Sequence, residues 1–134
     1  MGAGEPEAAG ALIDELLAGL TPTTRTMLGE YFDGVIVTTE IGDVERLRGL
    51  VRPSLFESPW HRAAGLLGEG RLGEAAGLLG EIGIPVHEAY VRMLAAERGG
   101  SGAEAEAERA LAFWRSVGAT AYARRCEVLL PASA

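Results

Sequence analysis

Apolar residues recur along this chain at helical spacing, and short punctuation signals separate the runs. Leu12, Ile13, Leu16 and Leu17 share one face of a helix expected over about 7–18 and closed by Gly19, with 1–6 a frayed start. Thr21-Pro22 supplies an N-cap followed by proline at the first helical position. The next stripe is Met27, Leu28, Tyr31, Phe32, Val35 and Ile36. Its end, VIVTT (35–39), is β-branched and also suits a short strand, but the unbroken helical period favours helix. Gly42-Asp43 reads as a stop and a cap before Val44, Leu47, Leu50 and Val51, and Pro53 closes that short helix.

The second half repeats the grammar. Ser58-Pro59 opens a helix with Trp60, Ala63, Ala64 and Leu67 on one face, ending at Gly70. Leu72, Ala75, Ala76, Leu79 and Ile82 define another, ending at Gly83. Pro85 opens a third, with Val86, Ala89, Tyr90, Met93 and Leu94 inward and a stop at Gly99-Gly100. Ser101 and Glu104 fit the capping box S-x-x-E ahead of Ala107, Ala110, Leu111, Trp114 and Val117, which run to Gly118. A last helix carries Ala119, Tyr122, Cys126 and Leu129 before Pro131. About eight helices joined by short turns, with no convincing strand, predict an all-α fold.

Two of these segments align without gaps. GEAAGLLGEIG (73–83) and ERALAFWRSVG (108–118) set Ala75 on Ala110, Leu79 on Trp114, Ile82 on Val117 and Gly83 on Gly118, an offset of 35 residues. That is close to the tetratricopeptide period of about 34. An Ala-Tyr pair follows each glycine, Ala89-Tyr90 and Ala121-Tyr122. The expected architecture is a single domain of stacked antiparallel hairpins, a TPR-like α-solenoid. Its hairpins fall over about 21–52, 58–83 and 85–118, and a capping helix over 119–130 covers the end of the stack. Arg124, Arg125 and Glu127 on that helix are expected to face water. Gly73, Gly77 and Gly80 lie inside one helix and each cost about 1 kcal/mol relative to alanine, which close helix approach would offset.

Composition narrows the function more than the fold. The 134 residues suit one domain, 48% are hydrophobic, and the net charge is −7, which argues against a nucleic-acid partner. All twelve basic residues are arginine, so a Walker lysine, a Schiff base and a lysine general base are excluded. One cysteine can form neither an internal disulfide nor a cysteine-based zinc site, which points to a reducing cytoplasm. The N-terminus lacks the basic and apolar regions of a secretion signal, and no run is apolar enough for a membrane span.

Chemistry-bearing residues are sparse. GEGRLG (68–73) matches G-x-G-x-x-G, but a helix precedes it where a dinucleotide site needs a strand, so a repeat turn accounts for it better. His61 and His87 are the only histidines, and neither has further metal ligands at workable spacing. His87-Glu88 begins H-E-x-x-H, but Val91 stands where the second histidine belongs. Cys126 reads as a buried structural thiol, and Glu104, Glu106 and Glu108 as an exposed first turn favoured by the helix dipole. No catalytic residue, metal site or cofactor is expected. Trp60, His61, Arg62, His87 and Arg92 sit on first helices of successive hairpins, the concave side of such solenoids. They form a candidate cationic strip for a partner's carboxylates.

GEAAGLLGEIGIPVHEAYVRMLAAE, followed by ERALAFWRSVGATAYARRCEVLL, resembles the C-terminal tetratricopeptide-like tails of actinobacterial signalling proteins. Those tails follow class III nucleotide cyclase domains or the ATP-binding modules of LuxR-type regulators. The resemblance covers roughly 59–130, and its most specific pieces are E-I-G, A-Y and the closing FWRSVGATAY. The repeats depart from the tetratricopeptide consensus in lacking its Trp, Leu-Gly and Tyr in the first helix. What the resemblance implies is a non-catalytic interaction scaffold: a detached tail, a truncated product or a small stand-alone relative. A protein or peptide is then the expected partner. The alternative is a ligand-sensing domain that controls an attached or partner cyclase or ATPase. The apolar face of the N-terminal helix, with no preceding partner, adds the expectation of a homodimer.

Overall fold

The computed structural model describes residues 5–19, 28–51 and 58–132, and all eight elements in them are helices. They are α1 (Glu5–Gly19), α2 (Leu28–Ile41), α3 (Val44–Leu50), α4 (Pro59–Gly68), α5 (Leu72–Ile82), α6 (Pro85–Arg98), α7 (Ala103–Ser116) and α8 (Thr120–Glu127). The fold is all-α, as the periodicity predicts. The Thr21-Pro22 cap, Met27 and Pro53 lie outside the described residues, as do the side chains of Leu16, Leu17, Leu28 and Tyr31. The chain divides into two compact units at Gly70–Arg71. The segment read as a 58–83 hairpin therefore contributes one helix to each unit.

In the first unit α2 touches α1, α3 and α4. Phe32, Val35 and Ile36 are buried, and the Phe32 ring meets Trp60 of α4 edge-on at 4.9 Å. The β-branched stretch is helical to Ile41. Thr38 and Thr39 are buried there, and each hydroxyl donates to the carbonyl four residues back, Gly34 and Val35, at 2.7 Å. Those bonds satisfy polar atoms that would otherwise be stranded in the core. Gly42 turns the chain with φ +73°, and the Asp43 side chain accepts the Arg46 N–H at 3.0 Å to cap α3. Leu47 and Leu50 are buried, whereas Val44 is half exposed at the first turn. Ser58 caps α4 by accepting the His61 N–H, and Ala63, Ala64 and Leu67 are its buried face.

In the second unit α5 packs on α6, α6 on α7 and α7 on α8. The links are two to four residues long, so successive helices reverse direction. The 35-residue correspondence reappears as geometry. Ile84 N–H reaches Leu79 O and Gly83 N–H reaches Gly80 O, while Ala119 N–H reaches Trp114 O and Gly118 N–H reaches Arg115 O. Both helices thus end in the same Schellman closure, with glycine at φ +85° and +72° where a side chain would be strained. Ala75 and Ala110 are fully buried, as are Leu79 and Trp114 almost entirely.

Several expectations change. Val86 and Val117 are more than half exposed because they sit at helix ends, beyond the reach of the neighbouring helix. The Ser101–Glu104 capping box does not form. Gly102, at φ +88°, makes the turn instead and α7 starts one residue later, with no side-chain cap. Arg125 does not simply face water: its Nη2 donates to Glu97 Oε2 at 2.8 Å, tying α8 to α6. Of the three glycines in α5, a β-carbon on Gly80 would lie 2.8 Å from Glu88 Oε2, and one on Gly73 would make ordinary contact with Glu106 at 3.7 Å. A β-carbon on Gly77 would meet nothing within 4 Å, so close approach does not explain that residue.

Gly77→Ala is accordingly expected to stabilise the protein by about 0.5–1 kcal/mol, the helix-propensity gain. Gly80→Ala should lose that gain and destabilise by about 1 kcal/mol, because Glu88 must shift. Urea unfolding of the two variants checks this, and equal stabilisation by both would contradict it.

Candidate functional site

Trp60, His61 and Arg62 belong to the first unit, and His87 and Arg92 to the second. Trp60 is half-buried against Phe32, and His61 Nδ1 lies 2.7 Å from the Ser58 hydroxyl at the α4 cap. Arg62 is exposed and makes no ion pair among the described residues. His87 is half-buried in the first turn of α6.

Arg92 departs most from the expectation of a cation presented to a partner. Its side chain is only 10% exposed. Nε and Nη2 donate to Glu88 Oε1 at 2.9 and 2.7 Å, and Nη1 donates to Glu106 Oε2 at 2.6 Å. Burial alone would lower its pKa, but the hydrogen bonds and charges of Glu106 and Glu88 outweigh that and hold it above the ordinary guanidinium value. Its charge is spent inside the unit. Glu106, read from sequence as one of three exposed carboxylates, is the cross-helix half of this arrangement.

Other expected features are also used structurally. Gly68 ends α4 so close to Val51 that a β-carbon would stand 2.9 Å from Cγ2, and Gly70 turns the chain at φ +76°. The G-x-G-x-x-G match is therefore helix–turn–helix, without the strand a dinucleotide site needs. Cys126 is fully buried, and desolvation, with the Glu97 carboxylate adding to it, pushes its thiol up, away from the reactive thiolate. Trp114 is buried in a ring cluster with Phe113, Tyr90 and Tyr122, at centroid distances of 5.1, 6.5 and 4.7 Å. Its Nε1 has no hydrogen-bond partner among the described residues. Those residues contain no group of three or more His, Cys, Asp or Glu able to hold a metal ion.

What the second unit does offer is a groove of about 140 Å³ between α6 and α7. Pro85, Glu88, Ala89 and Arg92 line it from α6, and Arg109 and Phe113 from α7. Arg46, Arg48, Arg71, Arg92, Arg115 and Arg125 all hold carboxylates. Arg62, Arg109 and Arg124 make no ion pair among the described residues, and of these Arg109 lines the groove. Arg109 and Phe113 carry no signal in the sequence pattern that marks them as a site. Their i, i+4 spacing was visible, but nothing in one helix says that its neighbour leaves a gap there.

No family model, curated protein or solved structure matches the chain. No helix among the described residues is long and apolar enough to cross a membrane.

The first unit has its own two-carboxylate arginine. Arg46 donates from Nε and Nη2 to Asp14 Oδ1 and Oδ2 at 2.7 and 2.8 Å, and from Nη1 to Asp43. The Arg46 side chain holds the Asp14 carboxyl below the ordinary 3.8, and the Arg46 backbone N–H does the same to Asp43. Carboxylates depressed on folding stabilise the fold above their unfolded pKa, and that contribution disappears as pH falls through the folded value. Carboxyl NMR titration should therefore place both midpoints below 3.8, with α1–α3 contacts weakening across the same range. Arg46→Met should return Asp14 toward the ordinary value and Asp43 only in part, because the backbone N–H that Asp43 accepts at the α3 cap remains; identical Asp14 titration in wild type and variant would contradict the assignment.

Proposed function

We propose that the chain is a non-catalytic helical-repeat module that binds a protein or peptide, working in bacterial signalling or transcriptional regulation. The observation that carries this reading is the α6–α7 groove, where an arginine with no ion pair among the described residues stands one helical turn from Phe113. Cation and aromatic surface together are the residue types that anchor partner side chains. The repeated helix closure at Gly83 and Gly118 supports the repeat part of the proposal. The resemblance of 59–130 to the tails of actinobacterial cyclase-linked and LuxR-type regulators supports the setting.

The test is affinity capture of the tagged full chain from cells that encode it, with Arg109→Glu and Arg62→Glu alongside. Arg92 is unsuitable as a probe because it is structural. A partner retained by wild type and by Arg62→Glu, and reduced at least about tenfold by Arg109→Glu, is the expected result. Recovery of nothing above the tag control would overturn the proposal, and loss through Arg62→Glu alone would overturn the groove as its site.

A further inference from the structure

We infer that the α6–α7 groove takes the last residue of a partner chain, with its terminal carboxylate on Arg109 and its apolar side chain against Phe113, Ala89 and Pro85. This rests on the peptide-binding reading above and gives that site a specific occupant.

Three observations carry the assignment. The first is size: at about 140 Å³ the groove is a small open depression that seats one side chain. The second is where its chemistry lies. Arg109 and Phe113 are four residues apart on α7, and Pro85 and Ala89 are four apart on α6, so each pair shares a helix face. A cation and an apolar wall thus face the same small space. The third is charge. The lining carries Arg92 and Arg109 against Glu88, and Arg92 also holds Glu106, so the group is formally neutral in a chain of −7. Arg92 is bonded to Glu88 and Glu106, so Arg109 is the lining cation that holds no carboxylate among the described residues. The groove also lies at the first turn of α6, which has no side-chain cap, and a helix N-terminus adds positive potential.

An occupant must therefore bring a carboxylate and an apolar group within one residue's length. An internal aspartate or glutamate brings the carboxylate on an apolar stem but no apolar group beside it. An internal leucine or phenylalanine brings the apolar group alone. The final residue of a chain carries both on one α-carbon. Arg is suited to this role because its planar fork binds a carboxylate through two parallel N–H bonds.

Backbone-amide NMR titration of the full chain distinguishes the alternatives. The probes are N-acetylglycyl-leucine, its C-terminal amide, and N-acetylglutamyl-leucinamide, which keeps an acid beside the leucine but has no terminal carboxylate. N-acetylglycyl-leucine should give saturable shifts at Ala89, Arg109 and Phe113 with Kd on the order of 1 mM, the range for so small a ligand. The other two should bind at least about tenfold more weakly, the loss of one charge-assisted pair. Arg109→Gln, an exposed substitution whose spectrum reports directly that it is folded, should weaken the first probe by the same factor. Equal binding of the simple amide would overturn the carboxylate assignment. Equal binding of N-acetylglutamyl-leucinamide alone would overturn the chain end in favour of an internal acid. Absence of shifts at the groove with all three would overturn the site itself, while a partner captured through other residues would leave the interaction module standing.

Discussion

Arg92 carries a full positive charge into the interior of the α5–α6–α7 group, and its surroundings answer the cost of taking that charge out of water. An isolated buried ion is prohibitive, whereas one held by hydrogen-bonded carboxylates is tolerable and fixes geometry. Glu88, one turn earlier on α6, and Glu106, across on α7, hold three of its guanidinium nitrogens. Their placement constrains α5 in turn. Glu88 occupies the space that a β-carbon on Gly80 would fill, and Glu106 lies in contact range of Gly73. One ionic cluster thus ties α6 to α7 and leaves no room for a side chain at one position of the third helix, Gly80.

The first unit solves a similar problem in the same way. Arg46 of α3 spans Asp14 of α1 and its own cap, Asp43, and the guanidinium passes within 3.1 Å of where a β-carbon on Gly10 would stand. In both units an arginine joins two carboxylates from different places in the chain, and a glycine clears the space. A chain without lysine has the planar, multiply donating cation this device requires. The tie in the first unit is solvent-exposed, so it orients α1 more than it stabilises it.

Much of the helical framework was legible in the sequence because its signals are local. Gly42, Gly70, Gly83, Gly99 and Gly118 stand in the sequence as helix stops, and each adopts positive φ. Asp43 and Ser58 cap as their positions suggest. The match of Gly83 with Gly118 marks two helix ends, and both close with the same pair of hydrogen bonds. The failures arose where neighbours decide. Apolar period marks a buried face, but α6 is covered by both α5 and α7, so Arg92 on a second face is buried as well. The Glu88–Arg92 half of its cluster was visible as an i, i+4 pair, while Glu106, fourteen residues away, was not. The candidate site failed for the same reason. The sequence pattern nominates Arg92 for its charge and its place on the first helix of a hairpin, whereas Arg109 becomes visible only once α6 and α7 are seen to leave a groove.

The measurement that tests the central role of Arg92 most directly is urea unfolding of Arg92→Met and of the neutralised triple variant Arg92→Met/Glu88→Gln/Glu106→Gln. A Trp60→Phe background leaves Trp114 fluorescence as the reporter of the second unit. The single substitution strands two carboxylates beside each other and should cost about 2–4 kcal/mol. Removing all three charges should recover stability to within about 1 kcal/mol of the background protein, since a neutral cluster carries no uncompensated ion. An Arg92→Met protein within about 0.5 kcal/mol of the background, the scale of an ordinary surface substitution, would contradict the account.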